Sequence, residues 1–133
     1  MSLTLLWFVT QAWATELKSQ LKTTCPPYNQ PCLKSILDSD SEIVPPDWLN
    51  AVDRELGGRL AYLVIHLTIL EGAVDLSVRG VPLDLRAARD LGRGSYDWYI
   101  PVTTTDLSRG IEVGVVNNGP DEQTVFELSY DGA

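Results

Sequence analysis

Residues 72–80 read Gly72-Ala73-Val74-Asp75-Leu76-Ser77-Val78-Arg79-Gly80. Val74, Leu76 and Val78 alternate with Asp75, Ser77 and Arg79. That is the period of a strand with one face in a core and the other in water. The alternation predicts Val74, Leu76 and Val78 turned inward and the three polar residues facing solvent. Glycines at both ends mark turns.

The same period recurs outward from this stretch. Leu60 to Leu70 places Ala61, Leu63, Ile65, Leu67 and Ile69 on one side, with Tyr62, Val64, His66 and Thr68 on the other. Tyr96 to Val102 alternates around Trp98, Ile100 and Val102, and Pro101 suits an edge or a bulge. Asp106 to Gly110 reads as a turn, then Ile111, Val113 and Val115 form a strand. The cluster Asn117-Asn118-Gly119-Pro120-Asp121 turns the chain into a last strand carrying Phe126, Leu128 and Tyr130. Pro82 to Asp90 reads as a short helix or as a strand and loop, and Gly92 to Ser95 as a surface turn. Five or six short strands at this spacing predict a mainly β protein, an antiparallel, jelly-roll-like β-sandwich.

Upstream, Pro46-Asp47-Trp48-Leu49 opens a short helix that puts Trp48, Leu49, Val52 and Leu56 on one face and stops at Gly57-Gly58. Its expected place is over one end or edge of the sandwich. The predicted organisation is therefore residues 1–14 as a signal peptide or N-terminal helix, residues 15–46 as a Cys-bracketed loop and acidic linker, and residues 47–133 as the sandwich with its leading helix.

Residues 1–14 carry both readings. Leu3 to Val9 is an apolar run, and Ala12-Trp13-Ala14 resembles a signal-peptidase site. Leu6, Val9, Trp13, Leu17 and Leu21 also follow helical spacing. The run is too short to span a membrane.

The 133 residues are 44% hydrophobic and 21% charged, with a net charge of -8. That composition is globular. The negative charge opposes nucleic-acid and anionic-membrane partners. After Arg109 there is no Lys or Arg, and the last two strands carry a net acidic edge or face.

Cys25 and Cys32 are the two cysteines, spaced C-x6-C around three prolines. Two Cys and one distant His do not make a four-ligand zinc site, and the spacing is not that of a redox C-x-x-C. A local disulfide suits the spacing and an oxidising compartment, while two unpaired thiols remain the other reading. Asp38, Asp40 and Glu42 sit two residues apart. In an extended segment they would point one way, as three ligands for Ca2+ would, although the EF-hand pattern is absent. Tyr62, Tyr96 and Tyr99 are candidate contact residues for a bound partner.

The second half, residues 58–131, resembles the bacterial pre-peptidase C-terminal domain family. The resembling residues are the 72–79 strand, then Tyr96 and Trp98, then Ile111 to Asn118 and Val125 to Tyr130. Ser77 stands where that family's strand carries a tyrosine. The resemblance implies a small jelly-roll-like accessory domain of exported proteins, serving matrix binding, secretion or folding. Some collagen-binding relatives take calcium through acidic residues near an N-terminal linker; no position of this chain is assigned to that set.

No catalytic residue is assigned. The sequence has no G-x-S-x-G and no H-E-x-x-H, and it shows no histidine near a pair of acids. His66, the only histidine, reads as structural or solvent-facing. The expected function is a non-catalytic module, secreted, periplasmic or on the cell surface, that binds extracellular protein or polysaccharide. The alternative is a subunit docking on a partner through its N-terminal apolar segment. A hydrolase using a pair such as Asp75 and Asp97 is the third and least supported reading.

Overall fold

The computed structural model describes residues 25–119 and 123–133. Among them are nine strands: β1 (Cys32–Ile36), β2 (Ser39–Val44), β3 (Tyr62–Glu71), β4 (Val74–Val78), β5 (Val81–Pro82), β6 (Arg89–Gly92), β7 (Ser95–Pro101), β8 (Ile111–Asn117) and β9 (Thr124–Gly132). Two helices accompany them, α1 (Pro46–Glu55) and α2 (Thr104–Arg109), with a 3-10 turn at Leu85–Ala87.

The strands form two antiparallel sheets, ordered β1-β9-β3-β7-β6 and β2-β8-β4-β5. The pairs are nested: β1 with β9, β2 with β8, β3 with β7, and β4 with β5. One long hairpin is thus rolled so that successive pairs fall in alternate sheets, which is the jelly-roll connection. The mainly β sandwich expected from the alternation is what the chain forms.

Between the sheets, Val74, Leu76 and Val78 of β4 meet Leu63, Ile65 and Leu67 of β3, and Phe126 and Leu128 of β9 join them in one buried cluster. The inward parity expected for β3, β4, β7 and β8 holds. Arg79, expected to face solvent, is 40% exposed, and it also takes a partner. It sits in the following turn at φ 53°, and its guanidinium reaches the Asp106 carboxylate and the Pro101 carbonyl. Gly72 turns β3 into β4 at φ 80°, where a Cβ would lie 2.6 Å from Thr124 Oγ1. Only glycine combines that conformation with that approach.

Two boundaries differ from the sequence reading. The sandwich begins at Cys32, because the expected linker contains β1 and β2. These strands are polar (Cys-Leu-Lys-Ser-Ile and Ser-Asp-Ser-Glu-Ile-Val) and have little strand propensity of their own. Pairing with the apolar β9 and β8 imposes the conformation. The turn expected at 106–110 is mostly taken up by α2, started by a capping box: Thr103 Oγ1 accepts from Asp106 N, and Asp106 accepts from Thr103 N. Residues 82–90 hold the 3-10 turn and the start of β6.

The helix α1 forms as expected and covers one end of the sandwich. Leu49 is fully buried, and Val52 packs on Gly132 at the end of β9. Asn50 Nδ2 donates to the Leu107 carbonyl at 2.7 Å, tying α1 to α2. The 1–14 segment, signal peptide or helix, lies outside the described residues, as does Asp121-Glu122 of the acidic tail.

Candidate functional site

The outer face of the five-stranded sheet is built by strand parity. His66 of β3 lies opposite Asp97 of β7 on one side and Ser129 of β9 on the other. Directly paired residues in an antiparallel sheet share a face, and i±2 neighbours are diagonal. His66 Nδ1 therefore lies 2.6 Å from Asp97 Oδ1, and Nε2 lies 3.0 Å from Asp131 Oδ2, one step along β9. Beyond them, Tyr62 and Tyr99 meet edge to face with ring centroids 6.0 Å apart. They stay 42% and 51% exposed, so this aromatic pair stands free of the core beside the carboxylates. On the other side of His66, the hydroxyls of Thr68 and Ser95 meet at 2.9 Å.

The electrostatics follow from this placement. Partial burial of the ring would depress the His66 pKa, but hydrogen bonds to Asp97 and Asp131, and their charges, outweigh it and raise the pKa above the ordinary value. Carboxylates only accept, so a ring that donates from both nitrogens is the protonated one. While His66 is protonated, both nitrogens donate to carboxylates and the ring has no lone pair free to abstract a proton. What the arrangement offers is a set of fixed acceptors beside exposed aromatic rings.

This histidine does lie near a pair of acids, contrary to the sequence reading. The partners come from strands 31 and 65 residues away. The one signal in the sequence was parity: Asp97, next to the inward Trp98, had to face outward. Asp75 and Asp97, the pair considered for hydrolysis, lie on the outer faces of different sheets and do not meet.

The three candidate tyrosines separate. Tyr62 and Tyr99 share the outer face. Tyr96 has the opposite parity, turns inward and packs against the core beside Trp98, with ring centroids 6.1 Å apart. It is half-buried rather than standing free as Tyr62 and Tyr99 do.

The proposed calcium ligands do not form one site among the described residues. Asp38 lies in the bend before β2 and its backbone carbonyl accepts from Asn117 N. Asp40 Oδ1 accepts from Ser41 N. Glu42 points between the sheets, where its Oε1 accepts from Lys34 Nζ at 2.9 Å and from the Tyr130 hydroxyl at 2.5 Å. An acid neutralised by a buried ammonium is not available to a cation. Among the described residues no three His, Cys, Asp or Glu side chains come together to hold a metal ion.

The Lys34–Glu42–Tyr130 group is a polar inclusion in the sandwich that the sequence did not reveal. Burial, then the Glu42 charge, holds the Tyr130 phenol well above its ordinary pKa, so it remains a donor. Beside this group Cys25 and Cys32 lie at disulfide distance, with Cα atoms 5.6 Å apart. The pair ties the loop carrying Tyr28 to β1, and Tyr28 packs on Trp48 and Tyr130.

That loop and α1 enclose a cleft of about 340 Å³. Its walls include Pro27 from the loop, Trp48, Val52 and Glu55 from α1, and Asp131 from β9. Asp131 thus belongs both to the cleft and to the His66 cluster.

Comparison with protein-family models, with curated proteins and with solved structures gave no match. No helix among the described residues is long and apolar enough to cross a membrane.

Proposed function

We propose that this protein is a non-catalytic binding module for a neutral extracellular polysaccharide, working outside the cytoplasm. The observation that carries the reading is the exposed Tyr62–Tyr99 pair beside fixed acceptors on one sheet face. A tyrosine ring offers an apolar surface with a polar tip, which suits the CH face and hydroxyl rim of a sugar. Asp131, with its side chain 52% exposed, and the Thr68 and Ser95 hydroxyls are placed to exchange hydrogen bonds with such hydroxyls. The negative charge of this face opposes sulfated or otherwise anionic polymers. A patch of two rings is also small for a stable protein–protein interface, which buries about 800 Å² per partner.

The disulfide-distance pair supports an oxidising compartment. The resemblance of residues 58–131 to the pre-peptidase C-terminal family supports an accessory role, because that family too is jelly-roll-like.

Affinity electrophoresis in gels containing neutral polysaccharides, with pull-downs on insoluble ones, tests this. The wild type is expected to be retained. Tyr62→Ala with Tyr99→Ala is expected to weaken retention roughly thirtyfold, the loss of about 2 kcal/mol of contact energy, with an unchanged melting temperature. Retention equal in wild type and double variant, or none on any neutral polymer, refutes the reading.

A further inference from the structure

The cleft between α1 and the Cys25–Cys32 loop has a chemistry distinct from that of the sheet face. Its volume, about 340 Å³, lies at the small end of the range for ligand pockets. Trp48, Val52 and Pro27 supply apolar wall. Among the described residues, Glu55 and Asp131 are its ionisable lining groups and no Lys or Arg lines it. The Trp48 indole is held in place by Tyr28, at 5.7 Å between centroids. One oxygen of Asp131 is held by His66 Nε2 at 3.0 Å.

We propose that this cleft binds a primary ammonium carried on a short alkyl stem. The stem lies along Trp48 and Val52, and the ammonium sits between Glu55, Asp131 and the indole face. Cations are drawn both to carboxylates and to the face of a tryptophan ring. The two sources of such a group are a lysine side chain of a protein and a free diamine.

His66 gives this site a pH signature. The groups facing His66 are Asp97 and Tyr99 from β7, Glu127 and Asp131 from β9, and Tyr62 from its own strand. Arg89 of β6 stands across from Asp97. When His66 is protonated, it neutralises part of the Asp131 charge and competes with the bound ammonium. When it loses the proton, Asp131 acts on the guest at full charge. Affinity therefore rises with pH above the ordinary histidine value, while the guest ammonium stays charged.

Isothermal titration of the full chain with acetyl-lysine methylamide and with cadaverine tests this, using the norleucine analogue as the uncharged control. Both ammonium probes are expected to bind and the norleucine analogue is not. The tighter of the two identifies the source. Glu55→Gln, on an exposed side chain, is expected to weaken binding about three- to fivefold. The wild-type affinity is expected to rise between about pH 6 and pH 8, and to be flat over that range in His66→Asn. Equal binding of the norleucine analogue, no binding of either amine, or an unchanged affinity in Glu55→Gln overturns the proposal. The probes carry no sugar, so this result is separate from that of the polysaccharide test.

Discussion

Replacing Glu42 by alanine removes one oxygen that serves two buried donors. Lys34 is 4% exposed and Glu42 13%, so neither charge is solvated by bulk water. The variant leaves the Lys34 ammonium desolvated without a counter-charge, and the Tyr130 hydroxyl without its acceptor. Breaking a buried ion pair from one side costs about 3–5 kcal/mol, and an orphaned buried hydroxyl about 1–3 kcal/mol. The two losses share one atom and do not add, so about 3–5 kcal/mol is expected for the whole change. For a chain of this size that corresponds to a melting temperature lower by roughly 10–25 °C. Urea unfolding followed by tryptophan fluorescence measures it directly. The double variant Lys34→Met with Glu42→Leu removes both charges and fills the space with apolar atoms, and is expected to recover most of the loss. A cost under about 1 kcal/mol for Glu42→Ala, or a double variant no more stable than the single one, would show that the pair is not buried as described.

Asp106 sets the acid limb of stability. Burial pushes its carboxyl upward, but hydrogen bonds from Arg79 and Thr103, with the Arg79 charge, bring the pKa below the ordinary value. Its contribution is therefore present above the unfolded carboxylate pKa of about 3.9 and is lost as pH falls through the lower folded value. Asp106→Asn is expected to cost about 1.5–3 kcal/mol at neutral pH and to flatten stability against pH below about 4, read by urea titrations at several pH values. Reduction of Cys25–Cys32 opens a short ring and is expected to lower stability by about 2.5 kcal/mol, checked by melting with and without reductant after thiol counting by mass spectrometry.

The strands that were legible in the sequence are those with one apolar and one polar face. For β3, β4, β7 and β8, parity identified the residues between the sheets, because a pleated strand repeats every two residues whatever its partner; Val64 and Asp97, of the outer parity, are buried as well. The edge strands β1 and β2 were not legible. Their inward positions include Lys34, Asp40 and Glu42, and a polar inward residue breaks the pattern that identifies a strand. The helix α2 was hidden for a simpler reason: six residues are too few for helical periodicity, although the Thr103 and Asp106 pair carried its cap.

Of the candidate site, Tyr62 and Tyr99 could be named from sequence because an aromatic residue on the outer parity of a strand is exposed unless something covers it. Their pairing could not, since it depends on the register between β3 and β7. Tyr96 shares the parity of Trp98, so its partial burial follows from the period of the strand. The stretch from Gly72 to Gly80 shows the same division. Its alternation by itself determined that Val74, Leu76 and Val78 enter a core, because burial of apolar area is a local tendency of each side chain. Only the tertiary structure decided that Arg79 would close on Asp106, that His66 would lie between Asp97 and Asp131, and that Glu42 would face Lys34 rather than a metal ion. Polar interactions are directional and short in range, so their partners are set by which distant strands the jelly roll brings within about 3 Å.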